Sequence, residues 1–176
     1  FTLVTDAMVG FNPDEEYVYV SVGSETWIIG KIRLEEFMKE AKMEDYKVLK
    51  TVKGSEFEGK KYTHPLLGSI SGLEKMSKQE NYHITIAEKF VDVNAGTGIV
   101  HLSPANGEDD YNIAMKRKVE IFSPIDDEVK FTEDAGKYAG MFVRDADEEI
   151  VRDVKEKNAL VRIGKIKHKY PLCWRS

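Results

Sequence analysis

Tyr17-Val18-Tyr19-Val20-Ser21-Val22, then Gly23-Ser24, then Thr26-Trp27-Ile28-Ile29, is the stretch on which the fold turns. Residues 16–30 alternate and are rich in β-branched and aromatic types. Two such runs around a short break containing glycine predict a β-hairpin. On its C-terminal side Leu34, Phe37, Met38 and Ala41 recur at helical spacing among Glu and Lys residues, which predicts a short amphipathic helix packed by one face. Tyr46-Lys47-Val48-Leu49-Lys50-Thr51-Val52 then returns to period two and ends at Gly54, a further strand.

Beyond the hairpin, residues 54–77 carry Gly54, Gly59, Gly68, Gly72 and Pro65 and read as loops and short extended pieces. Strands are expected at residues 83–87, 89–93 and 98–102, the last stopped by Pro104. Gly107-Glu108-Asp109-Asp110 before Tyr111, Ile113, Ala114 and Met115 is an acidic first turn opening a helix. Asp145 with Glu148 three residues on predicts a capped helix carrying Ile150 and Val154 on one face, and residues 160–166 read as a final strand. Short, evenly spread strands with no regular βαβ alternation predict a mainly β fold with helices, a closed or nearly closed barrel in one domain over residues 1–176.

The whole chain has 176 residues, with Lys+Arg 26 against Asp+Glu 31 and a formal charge of -5, which excludes a basic nucleic-acid wrapper. Apolar residues at 41% suffice for a core, and 32% charged residues place the chain among globular proteins. No apolar run approaches the length of a membrane span. The single cysteine, Cys173, excludes an internal disulfide framework and points to a reducing compartment, so the cytoplasm is expected. Phe1 and Ser176 both look like cut ends, as of a domain taken from a longer protein or of the mature part of a processed one.

Gly96-Thr97-Gly98 is weak as a phosphate loop, because the Lys-Ser/Thr ending and following helix are missing; glycines here also serve a tight turn. His64, His83, His101 and His168 show no helical i, i+4 pair, so no metal is expected. No Gly-x-Ser-x-Gly elbow is present, although a nucleophile, histidine and acid can still meet in space. His101 at a strand end and Asp110 at the next helix start could face one pocket, there to hold a cationic amine and a hydroxyl-bearing group. A core histidine beside a solvated acidic turn explains the same spacing.

The string Gly96-Thr97-Gly98-Ile99-Val100-His101-Leu102-Ser103-Pro104-Ala105-Asn106-Gly107-Glu108-Asp109-Asp110-Tyr111 resembles the signature of the editing domain, connective peptide 1, inserted in isoleucyl-tRNA synthetases of class I. His168-Lys169-Tyr170-Pro171-Leu172-Cys173-Trp174-Arg175 is similar to the family's exit from that insert. Asn12-Pro13-Asp14, Lys53-Gly54-Ser55-Glu56, His64-Pro65-Leu66 and Asp145-Ala146-Asp147 match in order, so the resemblance covers nearly the whole chain. It implies a closed six-stranded β-barrel of the valyl, isoleucyl and leucyl editing-domain type. It also implies an aminoacyl-tRNA deacylase that hydrolyses valine mischarged onto the isoleucine tRNA.

By that resemblance Asp110 holds the substrate's α-ammonium and His101 lies beside the ester and terminal ribose, these two being the catalytic pair. Thr2, Asp6 and Thr97 join them as substrate-binding positions. Phe1 stands where the family usually has Trp, and Val4-Thr5-Asp6 replaces Pro-x-Asn, so Asp6 adds a negative charge and removes amide donors. The implied partners are the 3′ CCA end of valine-bearing tRNA and the remainder of the parent synthetase. The domain itself is expected to be monomeric and free of cofactors, the parent enzyme using ATP and magnesium. Two alternatives stay open: an insert that positions the tRNA end without hydrolysis, and the editing domain of a sister valyl or leucyl synthetase.

Overall fold

A computed structural model describes residues 1–164 of the chain. A 3-10 turn (Thr2–Thr5) leads into strand β1 (Met8–Phe11), followed by β2 (Glu16–Val22), β3 (Glu25–Gly30), helix α1 (Leu34–Glu40) and β4 (Lys47–Lys53). After a 3-10 turn (Gly54–Phe57) come α2 (Ser71–Met76), β5 (Ile84–Ala87), β6 (Val100–Leu102) and α3 (Glu108–Arg117). A 3-10 segment (Glu133–Tyr138) and α4 (Ala146–Glu156) complete the described order.

The hairpin forms as the sequence predicts. Val22 pairs with Glu25 across Gly23-Ser24, and Gly23 takes φ +57°, the left-handed region a tight hairpin turn demands. β4 adds antiparallel to the other edge of β2, with a register shift between Tyr19 and Val20. Val18, Val20 and Val22 share one face of β2 because side chains alternate along a strand, and they bury against Ile29 and against Phe37 and Met38 of α1.

A second sheet has the order β5-β1-β6, with β1 parallel to β5 and antiparallel to β6. Two separate three-stranded sheets replace the closed six-stranded barrel expected from the sequence. Residues 89–93 are not a strand. The Asn12 side-chain amide donates to the carbonyls of Lys89 (3.3 Å) and Val91 (3.1 Å), and Asp92 accepts from the Asn94 N–H (2.9 Å), so local polar groups take up this backbone in turns. Residues 160–164 carry no ladder either; residues 165–166 and the 168–175 exit string lie outside the described residues. What joins the sheets is side-chain packing: Phe11, Tyr17, Phe57 and Val93 form one cluster, with Phe11 stacked on Phe57 at 4.0 Å.

Within the stretch read as loops, α2 is a helix. Its Gly72 lets Phe122 approach, since a Cβ there would stand 2.4 Å from that ring, and Leu73 and Met76 are buried. The glycine thus serves a close helix contact. Asp145 makes no side-chain cap and is already helical at φ -72°, ψ -29°, so the expected capping box is absent, while Ile150 and Val154 are buried as predicted.

Candidate active site

Ala7 fixes the architecture of the site. Its N–H donates to the Leu102 carbonyl (2.9 Å) and its carbonyl accepts from the His83 N–H (2.8 Å), so the chain just before β1 is clamped between the start of β5 and the end of β6. Asp6, one residue earlier, therefore stands between His83 and the end of β6. Within β6 the alternation of faces buries Leu102 and turns His101 outward, its side chain 40% exposed, opposite Val9 of β1. The 3-10 turn brings Thr2 to the same histidine. Thr2 Oγ1 lies 3.4 Å from His101 Nε2, and Asp6 Oδ1 lies 3.4 Å from His101 Nδ1.

Asp6 is 2% exposed. Its Oδ2 accepts a hydrogen bond from the Tyr62 hydroxyl, and its Oδ1 has no hydrogen-bond donor. Burial first, then the Asp6 charge, pushes the Tyr62 hydroxyl well above its usual range, so it stays a donor. His64 Nε2 comes within 3.8 Å of Asp6 Oδ2, but this is no ion pair at neutral pH. Its Nδ1 accepts from the Leu66 N–H (3.1 Å) and its Nε2–H donates to the Leu3 carbonyl (2.9 Å), one tautomer with both nitrogens committed. Burial accordingly pushes His64 down to about 4, against the opposing pull of Asp6. His83 stacks on His64 at 5.1 Å and is lowered for the same reason, also against the pull of Asp6.

Asp110 sits in the first turn of α3, partly buried. Its Oδ2 accepts from the Ser103 N–H at 2.8 Å, folding the carboxylate back over the loop that follows β6. That loop is tied to the N-terminal turn by three polar groups. Thr5 Oγ1 and Ser103 Oγ are 2.5 Å apart, and the Asn106 amide donates to both at 2.7 Å. His101 and Asp110 thus flank one loop, and Thr2 and Asp6 stand on either side of the His101 ring. Thr97 lies elsewhere: its carbonyl accepts from Gly30 (2.7 Å), and it lines an apolar depression with Trp27, Ile28, Ile29 and Phe37.

Sequence reasoning did not single out Tyr62, Thr5, Ser103 or Asn106, whose roles depend on contacts across the chain that no local spacing signals. As chemical groups His64 and His83 were weighed as metal ligands, His64 also being part of a matching string and His83 of an expected strand. In the structure His64 has no free lone pair to offer a metal, because both ring nitrogens are engaged.

No family model matches the sequence. It is 44% identical over 183 residues to the isoleucine–tRNA ligase of Methanocaldococcus jannaschii, covering 99% of this chain and 17% of that protein. To the isoleucine–tRNA ligase of Sulfolobus acidocaldarius it is 42% identical over 176 residues, covering 99% and 16%. The chain therefore spans about a sixth of the length of these relatives. Among solved structures, that of GlLeuRS-CP1 matches with a TM-score of 0.66 at 15% identity, covering 94% of this chain and 81% of that one. The Plasmodium falciparum cytosolic leucyl-tRNA synthetase editing domain in space group P1 matches with a TM-score of 0.51 at 17% identity, covering 89% and 61%. These two likenesses concern the fold alone.

Proposed function

The chain belongs, as one segment with the connective-peptide editing-domain fold, to the isoleucyl-tRNA synthetase family, and on that premise we propose that it hydrolyses the ester of valine mischarged onto the isoleucine tRNA. One observation carries this reading. The outward-facing ring of His101 and the partly buried carboxylate of Asp110 flank the same loop, with the Thr2 hydroxyl 3.4 Å from Nε2 of that ring.

The need for a second site is physical. A pocket that accepts isoleucine disfavours valine only by the free energy of one methylene, roughly 1–3 kcal/mol, a limit for which this amino-acid pair is the usual illustration. Hydrolysis removes what binding cannot exclude. Asp110, with one oxygen held by Ser103, offers the other to the α-ammonium of the aminoacyl group, and this fixes the ester carbonyl in front of a water. The water oxygen bonds to the carbonyl carbon, and the bond from that carbon to the ribose oxygen breaks. The ribose oxygen takes one proton of the water, and valine leaves as the acid, whose remaining proton passes to solvent to give the carboxylate. His101 either orients the water or donates to the ribose hydroxyl.

In this reading the chain acts on the single-stranded 3′ end of the tRNA. Phosphate neutralisation supplies most nucleic-acid affinity, so at a charge of -5 the remainder of the parent enzyme supplies the anchoring. The module contributes no cofactor of its own, and residues 1–176 act as one unit within that enzyme. The test is release of valine from mischarged tRNA by the full-length synthetase. Asp110→Ala should slow it by about 10²-fold or more while the fold survives. An unchanged rate would overturn the reading. If the wild-type enzyme releases no valine, an insert that only positions the tRNA end takes its place.

A further inference from the structure

The two buried carboxylates among the described residues, Asp6 and Asp153, are built alike except at one atom. Each accepts a tyrosine hydroxyl on Oδ2, from Tyr62 and Tyr138 respectively. Asp153 Oδ1 is completed by the Lys137 ammonium at 2.6 Å. Asp6 Oδ1 has no such partner, and facing it is His101 Nδ1, at 3.4 Å. Leaving a buried carboxylate oxygen unpaired is costly, so a neighbouring side chain that can turn a proton toward it is favoured there.

We propose that Asp6 is a positioning residue that fixes His101 as the tautomer protonated on Nδ1, and so leaves the Nε2 lone pair as the acceptor for the proton of the attacking water. This rests on the editing reading for its chemical consequence, but the tautomer itself rests only on the geometry. With the proton on Nε2 instead, two lone pairs, those of Nδ1 and Oδ1, would face each other at 3.4 Å. With the proton on Nδ1, a polar hydrogen instead of a lone pair faces the buried oxygen, an electrostatic contact at 3.4 Å that falls short of a formed hydrogen bond.

The other neighbours of Asp6 cannot take this part. The His64 Nε2–H is committed to the Leu3 carbonyl, and the Tyr62 hydroxyl already serves Oδ2 and keeps the carboxylate from rotating. His83 Nε2 makes no hydrogen bond. A substrate ammonium is also a poor fit for Asp6, because the side chain is 2% exposed beneath His101, whereas Asp110 is only partly buried. The tautomer decides between the two roles left to His101. Nε2, on the Thr2 side of the ring, takes the proton from water as the water oxygen bonds to the ester carbon. The imidazolium forms beside the Asp6 charge, and the same proton passes to the departing ribose oxygen.

Two measurements test this. In the full chain labelled with ¹⁵N-histidine, at a pH well above that at which imidazole takes up a proton, His101 should give a protonated Nδ1 and an unprotonated Nε2. Asp6→Asn should shift the ring toward the other tautomer. A wild-type ring protonated on Nε2 overturns the proposal, whatever the variant does. In the full-length enzyme Asp6→Asn should lower kcat for valine release by about 10²-fold with KM changed by less than about threefold. A raised KM with unchanged kcat overturns it in favour of an ammonium site at Asp6. Tyr62→Phe keeps both carboxylate oxygens and should lower kcat by less than Asp6→Asn; an equal or larger loss would overturn the assignment to Oδ1. If the wild-type enzyme releases no valine while His101 carries its proton on Nδ1, the editing reading fails and the positioning of the ring stands.

Discussion

Asp6 and Asp153 lie in regions that solve one physical problem differently. At Asp153, the Lys137 ammonium and the Tyr138 hydroxyl close the carboxylate, which ties the 3-10 segment 133–138 to α4 and leaves nothing to react. At Asp6 the cation is replaced by an outward-facing histidine, and two further histidines crowd the carboxylate from behind. A saturated buried acid is a fastener. An acid left one donor short, beneath a histidine that reaches solvent, is poised to do chemistry.

The largest effect expected to separate them is acid sensitivity. His64 is pushed down to about 4 in the folded chain, whereas an unfolded histidine titrates near about 6.5. Between those values the unfolded state binds the extra proton, so stability falls as pH drops through that window, by up to about 3 kcal/mol. His83 is lowered too and adds to the same slope. The Asp153 carboxyl is itself held below the usual carboxylate range by Lys137 and Tyr138, against burial, so its contribution is kept above about pH 4 and lost only beneath it. Denaturant unfolding from pH 7 to 3 should therefore show two steps of loss. His64→Gln should flatten the first step and leave the second. A variant with the wild-type slope between pH 6.5 and 4 would break the comparison.

Next in size is removal of the fastener. Asp153→Ala strands the Tyr138 hydroxyl in the core while Lys137, half exposed, turns to water. The expected cost is about 2 kcal/mol, read as a lowered denaturation midpoint. The tautomer of His101 and the rate of valine release per folded molecule should not change. A loss of rate as large as that of Asp6→Asn would mean that the two regions are coupled.

How far each region could be read from sequence follows the range of its contacts. The hairpin β2–β3, the α1 stripe and β4 are neighbours along the chain, so alternation and turn chemistry at Gly23-Ser24 sufficed to predict them. Sheet β5-β1-β6 joins residues 8–11 to 84–87 and 100–102, and no periodicity in a four-residue strand says which distant strand it will meet. That is also why the closed barrel was expected: 89–93 has the residues of a strand, but Asn12, far away in sequence, takes its carbonyls. Of the site, His101 and Asp110 could be read as flanking one loop, because that loop is local. The pairing of Asp6 with His101 and Tyr62 could not, since it arises only when the 3-10 turn 2–5 is clamped beside β6 through Ala7. Thr97 fails in the opposite way, close to His101 in sequence and carried to the β3 side by the Gly98 turn.

The smallest expected effect probes the seam between Asp6 and the Asp110 loop. Thr5→Val keeps the shape of a fully buried side chain and removes the hydroxyl that Ser103 and Asn106 share. Those two still bond each other at 2.7 Å, so the loss is limited to about 1 kcal/mol. What distinguishes this site from an equal loss elsewhere is its position. The residue next to it is Asp6, and the loop it holds presents the Ser103 N–H to Asp110. A freed loop should weaken the grip on the α-ammonium, and KM for mischarged tRNA should rise by several-fold while kcat, set by His101 and Asp6, changes less. If kcat falls and KM does not, the hydroxyl network acts on the histidine side of the seam, and Asp110 is held by α3 alone.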